Sequence, residues 1–141
     1  MFDNAAHMQT VRVLENSLDT TVLRQKVIGD NIANVNTPGF KKSYVSFEYE
    51  LSQALQKKGA LPAITTDPRH IQFGGQIDET KVKPRVYLEH DTFSRNDLNN
   101  VDINVEMANL SKNSIMNEAL VNRTSGILQM LLTVIKGGGG R

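Results

Sequence analysis

The sequence predicts a mainly α chain, with two long N- and C-terminal helices forming a coiled-coil-like core and a small irregular, β-containing insert between them. Three observations predict it. Near the N-terminus, Val11, Leu14, Leu18, Thr21, Gln25, Ile28, Ile32 and Val35 follow alternating spacings of 3 and 4 residues. Near the C-terminus, Ile103, Met107, Leu110, Ser114, Asn117, Val121, Thr124, Leu128, Leu131 and Ile135 do the same. The stretch between is punctuated by Pro62, Pro68, Gly74, Gly75 and Pro84 and holds only short apolar runs. A seam of this kind is narrow, and it suits helix-to-helix packing better than one wall of a broad core. Matching seams at both ends describe a subunit built to bundle with copies or relatives of itself.

Each element follows in order. Residues 5–34 read as one helix, because helix formers dominate and no proline intervenes; Gly29 costs about 1 kcal/mol against alanine and weakens the last turns. Thirty helical residues span ~45 Å, far more than an ordinary globular helix. The helix stops at Thr37-Pro38-Gly39-Phe40, where proline disfavours helical geometry at the residue before it and glycine supplies positive φ for a type II turn. Residues 44–51 alternate weakly and read either as a strand or as the start of a short helix through Leu55, ended by Lys57-Lys58-Gly59. Short extended runs follow at 63–65, 71–73 and 82–88; Pro84 makes the last an edge or irregular strand. Asp97-Leu98-Asn99-Asn100-Val101-Asp102 supplies N-cap candidates for a second helix over 103–136, with Lys136 suited to its C-terminal dipole and Gly137 to its C-cap. The expected organisation is 1–36 N-terminal core helix, 37–100 insert, 101–136 C-terminal core helix and 137–141 flexible tail.

Composition narrows the function. The formal charge is +1, and the balance stays flat along the chain, with 16 basic and 15 acidic residues in all. A nucleic-acid binder concentrates positive charge on one element, and this chain does not; nucleic acid and anionic membrane are poor partners. With no cysteine, disulfides, thiolate metal sites and thiol catalysis are excluded. No apolar run approaches the ~20 residues of a membrane-spanning helix, and the N-terminus lacks the pattern of a cleaved secretory signal. A protein of this kind acting outside the cytoplasm would leave by another route.

No catalytic, cofactor or metal site is expected. His7, His70 and His90 are scattered, and Pro68 between Asp67 and His70 spoils a helical zinc pair. No HExxH, P-loop, GxGxxG or GxSxG pattern occurs. Glu48 with Glu50, Asp78 with Glu79, and the doublets Lys41-Lys42 and Lys57-Lys58 read as solvated charges. The residues that carry function are instead an expected assembly interface: Val11, Leu14, Leu18, Ile28, Asn31, Ile32, Asn34, Val35, Ile103, Met107, Leu110, Val121, Leu128, Leu131 and Ile135. Asn31 and Asn34 share one helix face. They either fix the register of the seam or solvate and cap the helix end.

The run Asp30-Asn31-Ile32-Ala33-Asn34-Val35-Asn36-Thr37-Pro38-Gly39-Phe40 closely resembles the N-terminal signature of bacterial flagellar rod and hook axial proteins. Asn36, Thr37, Pro38, Gly39 and Phe40 are its turn. Thr66-Asp67-Pro68-Arg69-His70-Ile71 is similar to a stretch in the middle of proximal rod proteins. Asn99-Asn100-Val101-Asp102-Ile103-Asn104-Val105-Glu106-Met107 resembles their segment before the last helix. The ending Val134-Ile135-Lys136-Gly137-Gly138 resembles that of the FlgB type. The likeness covers essentially the whole chain, with one departure: many relatives carry an aromatic residue where Asn117 stands. The alternatives are a FlgC-type rod subunit, or a helical adaptor or export chaperone forming a discrete dimer.

The resemblance implies a non-enzymatic subunit of the proximal rod of the flagellar basal body. Such subunits leave the cell unfolded through the flagellar type III export apparatus and polymerise into a torque-transmitting drive shaft across the periplasmic space. The implied partners are copies of the chain, other rod proteins, the export gate and the membrane-ring and hook-basal-body proteins. The implied role of the terminal helices is to pack as the inner core of the tube.

Overall fold

The computed structural model describes residues 3–57, 79–90 and 98–137, with the side chains of 3–7, 57 and 79 left aside. Two helices dominate. α1 (Asp3–Ala33) has 31 residues and α3 (Ile103–Gly137) has 35, so they rise about 46 and 52 Å. They lie antiparallel: Asn31 meets Glu106 near one end, while Thr21 meets Asn113 and Asn117 further along. Between them come β1 (Ser43–Ser46), α2 (Glu48–Lys57), a 3-10 turn at Glu79–Lys81 and β2 (Arg85–Leu88). The two-helix framework, with a small two-stranded sheet in the insert, is the architecture expected from the seams and the broken middle.

The ambiguous stretch at 44–51 resolves into both readings in succession. Strand β1 occupies its start, and Phe47 then opens α2, its C=O accepting from the Leu51 N–H at 2.9 Å. Glu48 and Glu50 occupy the first turn of α2, where the helix dipole favours negative charge. Arg24 of α1 ties that turn down by donating from Nη2 to both carboxylate oxygens of Glu48 at 2.8 Å. β2 begins directly after Pro84, where a missing N–H costs nothing to the ladder. The strands pair antiparallel, with Ser43 opposite Leu88 and Tyr44 opposite Tyr87. The expected extended runs at 63–65 and 71–73 lie outside the described residues.

α1 is the central element, with α3 against one side and β1 with the 3-10 turn against another. A small apolar core of Phe47, Ala54 and Val82, flanked by Leu51, sits within the insert. Elsewhere the interior is unusually polar. Thr20, Thr21, Asn31, Asn99, Asn100, Glu106 and Asn113 are buried alongside Val27, Ile28, Val45 and Val101.

Candidate assembly surfaces and the junction that aims them

The C-terminal end of α1 and the start of α3 are joined by side-chain amides that act as backbone. Asn31, 1% exposed, accepts the Ser43 N–H on Oδ1 at 3.0 Å and donates from Nδ2 to the Ser43 C=O at 2.8 Å. The same Nδ2 also donates to Glu106 Oε2 at 3.1 Å. One residue thus ties α1, β1 and α3 together. Asn100 repeats the device between the strands: its Oδ1 accepts the Lys42 N–H at 2.7 Å, and its Nδ2 donates to the Glu89 C=O at 2.9 Å. A salt bridge of 3.1 Å between Lys42 and Glu89 closes the same end of the sheet.

Asn99 holds the turn that follows α1. Its Nδ2 faces the carbonyls of Asn34, Val35 and Thr37 at 3.1, 3.1 and 2.9 Å, all just beyond the helix end at Ala33. The expected turn follows, with Gly39 at φ 72° and the Phe40 N–H bonded to the Thr37 C=O at 3.3 Å. Asn34 Nδ2 donates to the Asp30 C=O at 2.8 Å, and the Thr37 hydroxyl donates to Asn34 Oδ1 at 3.2 Å. Asp102 is the N-cap of α3, its Oδ1 accepting the Asn104 N–H at 2.8 Å. The two stretches that carry the family likeness therefore fold against each other, although Asn31 and Glu106 stand 75 residues apart in sequence.

The inward face of α3 is Glu106, Leu110, Asn113, Asn117, Leu120, Thr124, Ile127 and Leu131, an alternating spacing of 4 and 3. Asn113 donates to the Thr21 C=O at 2.9 Å, and Asn117 donates to the Thr21 hydroxyl at 2.7 Å. The buried Asn113 Oδ1 accepts from none of the described residues. On α1, Thr20 and Thr21 donate their hydroxyls back onto the carbonyls of Asn16 and Leu18, which leaves the Thr21 oxygen to accept from Asn117 across the seam. Beside this seam a cavity of about 550 Å³ is lined by Arg24, Ile28, Ser43, Val45, Glu106 and Asn113.

Among exposed polar residues such as Lys112, Glu118 and Arg123, the outward side of α3 carries an apolar stripe. Ile103, Met107, Val121 and Leu128 are each roughly half exposed, and Met130, Leu132, Val134 and Ile135 more so, up to 71% at Ile135. The residues expected at an assembly interface therefore divide. Ile28 and Asn31 are buried inside the chain, and Val11, Leu14, Leu18, Ile32, Asn34, Val35, Leu110 and Leu131 are half-buried. Ile103, Met107, Val121, Leu128 and Ile135 are exposed. In the turn, Asn36, Thr37, Pro38 and Gly39 are exposed and Phe40 is half-buried. Sequence reasoning missed Glu106, Asn113 and the bridging amides of Asn99 and Asn100. Asn99 and Asn100 signalled only a polar cluster before a helix, which reads equally well as caps, while Glu106 and Asn113 lie within α3, one residue before its more apolar line. Among the described residues no group of His, Asp and Glu side chains is placed to hold a metal.

The family described as flagella basal body rod protein matches residues 12–41, which cover most of α1 and the turn after it. The chain is 40% identical to the flagellar basal body rod protein FlgB of Bacillus subtilis (strain 168) over 129 residues, 92% of this chain and 95% of that protein. It is 37% identical to the FlgB of Borreliella burgdorferi over 121 residues, covering 84% and 90%. With the FlgB of Escherichia coli (strain K12) it shares 25% over 134 residues, covering 91% and 94%. An end-to-end likeness of this depth, on a framework of two long terminal helices, places the chain in the FlgB family of flagellar basal body rod proteins, as a structural subunit of the rod.

Proposed function

We propose that the terminal helices are the polymerising part of the subunit, that the exposed stripe of α3 is the principal contact between neighbours, and that the subunit occupies the proximal end of the rod. One observation carries the reading: the two fully buried positions of α3 are polar, Glu106 and Asn113, while a run of its large apolar side chains, Ile103, Met107, Val121, Leu128 and Ile135, stays exposed. A helix serving a solitary globule does the opposite. Burying one exposed Leu, Ile or Val is worth roughly 1.5–3 kcal/mol. Ile103, Val121, Leu128, Val134 and Ile135 are 46–71% exposed, so burying what remains of them supplies ~4–8 kcal/mol, within the ~4–15 kcal/mol that association costs in lost freedom. The half-buried seam of α1, with Val11, Leu14 and Leu18, adds the surplus. A head-to-tail contact whose rotation does not close then grows a helical tube.

Its partners in this reading are copies of itself, other rod proteins, and the export gate and membrane ring at the base. It reaches the periplasmic space through the flagellar type III apparatus. The test is the combined substitution Val121→Ser, Leu128→Ser, Ile135→Ser. All three side chains face outward, so the helical circular dichroism of the purified chain should be unchanged while cells lose rods and swimming. Normal numbers of rods in cells carrying that variant would sink the proposal.

A further inference from the structure

The two edges of the small sheet are treated differently. The Glu89 N–H donates to the Lys42 C=O at 3.0 Å, which makes Lys42/Glu89, Tyr44/Tyr87 and Ser46/Arg85 the hydrogen-bonded pairs of the ladder. Ser43 and Val45 therefore turn their polar groups away from β2, and Val86 and Leu88 turn theirs away from β1. On the β1 side, side chains close the edge: Asn31 takes both polar groups of Ser43, and Arg24 Nη2 reaches the Val45 C=O at 3.4 Å. On the β2 side, no described residue bonds the outward groups of Val86 and Leu88, whose side chains are 48% and 57% exposed.

The open edge is complementary to itself. Arg85 and Glu89 lie two residues either side of Tyr87, with opposite charge; within the subunit each already has an ion-pair partner, Glu50 at 3.8 Å and Lys42 at 3.1 Å, so pairing with a second copy shares these charges. Natural edge strands carry charge to repel their own kind, but this arrangement attracts it. When a second β2 is laid antiparallel with Tyr87 at the centre, Val86 of one copy faces Leu88 of the other. Their outward N–H and C=O groups then form the hydrogen-bonded pairs. Arg85 of each copy falls opposite Glu89 of the other. Tyr44 and Tyr87 already stack within the subunit, with ring centroids 5.7 Å apart and planes at 25°. The pairing would extend them into four tyrosines in a row across one face of a four-stranded sheet.

We infer that the outer edge of β2 is a docking surface for a second copy of this chain, paired antiparallel about Tyr87. The contact is isologous and closes on itself. It does not propagate along a tube, so it belongs to the unassembled subunit and goes beyond the rod contact proposed above. It holds two subunits together through the insert and leaves the outward stripe of α3 uncovered.

The absence of native cysteine makes the test clean. Tyr87 sits at a non-hydrogen-bonded position of the proposed pairing, where Cα atoms approach to about 4.5 Å, within disulfide reach. Purified Tyr87→Cys should form a disulfide dimer under mild oxidation far faster than Gln56→Cys, whose side chain is exposed on α2. The register is checked by mixing Arg85→Cys with Glu89→Cys, which should cross-link to each other and not to themselves. Adding Arg85→Glu to Tyr87→Cys should lower the cross-linked fraction about tenfold, from two attractive pairs turned repulsive. Arg85→Glu together with Glu89→Arg, with Lys42→Glu added to keep the internal ion pair, should restore it. Helical circular dichroism of each variant confirms that it is folded. Tyr87→Cys oxidising no faster than Gln56→Cys would overturn the inference. So would fast cross-linking indifferent to both charge changes.

Discussion

The Asn31 amide presents to Ser43 the acceptor and donor that a neighbouring strand would present with its backbone. Removing it leaves the Ser43 N–H and C=O and the Glu106 carboxylate without their partner inside the protein. Each orphaned group costs about 1–3 kcal/mol. Asn31→Ala should therefore lower the stability of the subunit by about 3 kcal/mol or more, read as a lower urea midpoint in circular dichroism. Asn31→Asp keeps the acceptor for the Ser43 N–H but sets a second carboxylate beside Glu106, so its loss should be greater still. Gly39 is a different case, since a Cβ there meets nothing within 4 Å and the cost is conformational alone. With φ at +72°, Gly39→Val should cost about 1–2 kcal/mol, again without disturbing helix content. The turn was legible from Pro38 and Gly39, because proline and glycine act locally. The roles of Asn31, Asn99 and Asn100 were not, because each depends on backbone brought from elsewhere in the chain.

Among the elements, α3 carries two interleaved stripes. The line Met107, Ser114, Val121, Leu128 and Ile135 is offset by one residue, about 100°, from the line Glu106, Asn113, Leu120 and Ile127. Periodicity finds the first because it is more apolar, and the helix buries the second. Leu110, Asn117, Thr124 and Leu131 belong to both seams, so the expected stripe straddles the border of the contact face. Asn113 shows what the polar choice costs. Its amide donates one hydrogen bond to Thr21, yet its oxygen is buried with no donor among the described residues. Asn113→Leu removes that unsatisfied acceptor and adds apolar burial, so the hairpin should gain up to about 1 kcal/mol. A rise in the midpoint of the helical melt would show it; a fall of several degrees would mean that the Asn113 to Thr21 bond outweighs the orphaned oxygen.

For the whole molecule, the insert does not stand apart from the helices. α1 supplies Asn31 and Arg24 to the edge of β1, and Asn16 Nδ2 donates to the Thr80 C=O at 2.9 Å. Deleting residues 1–34 should therefore melt the sheet as well as abolish assembly. Deleting 1–10 should leave the sheet intact while weakening the rod contact. Amide hydrogen exchange at Tyr44 and Tyr87 distinguishes the two outcomes: rapid exchange is expected for the longer deletion and protection for the shorter. The ion pair between Arg24 and Glu48 contributes little to this dependence, because Glu48 is 54% exposed and such pairs are worth about 0.2–1 kcal/mol.

The two long helices, the stop at Pro38-Gly39, the modest insert and the family likeness are all written in the residue order, because spacing, capping and turn chemistry are local or periodic properties. Tertiary structure alone decided which side of α3 faces inward and which amides stand in for backbone. It also decided that side chains close one sheet edge while, among the described residues, none bonds the other. The physical reason is that a polar side chain such as Asn113 or Glu106 tolerates burial only when a partner from a distant segment meets it. No pattern within one helix records where that partner will be.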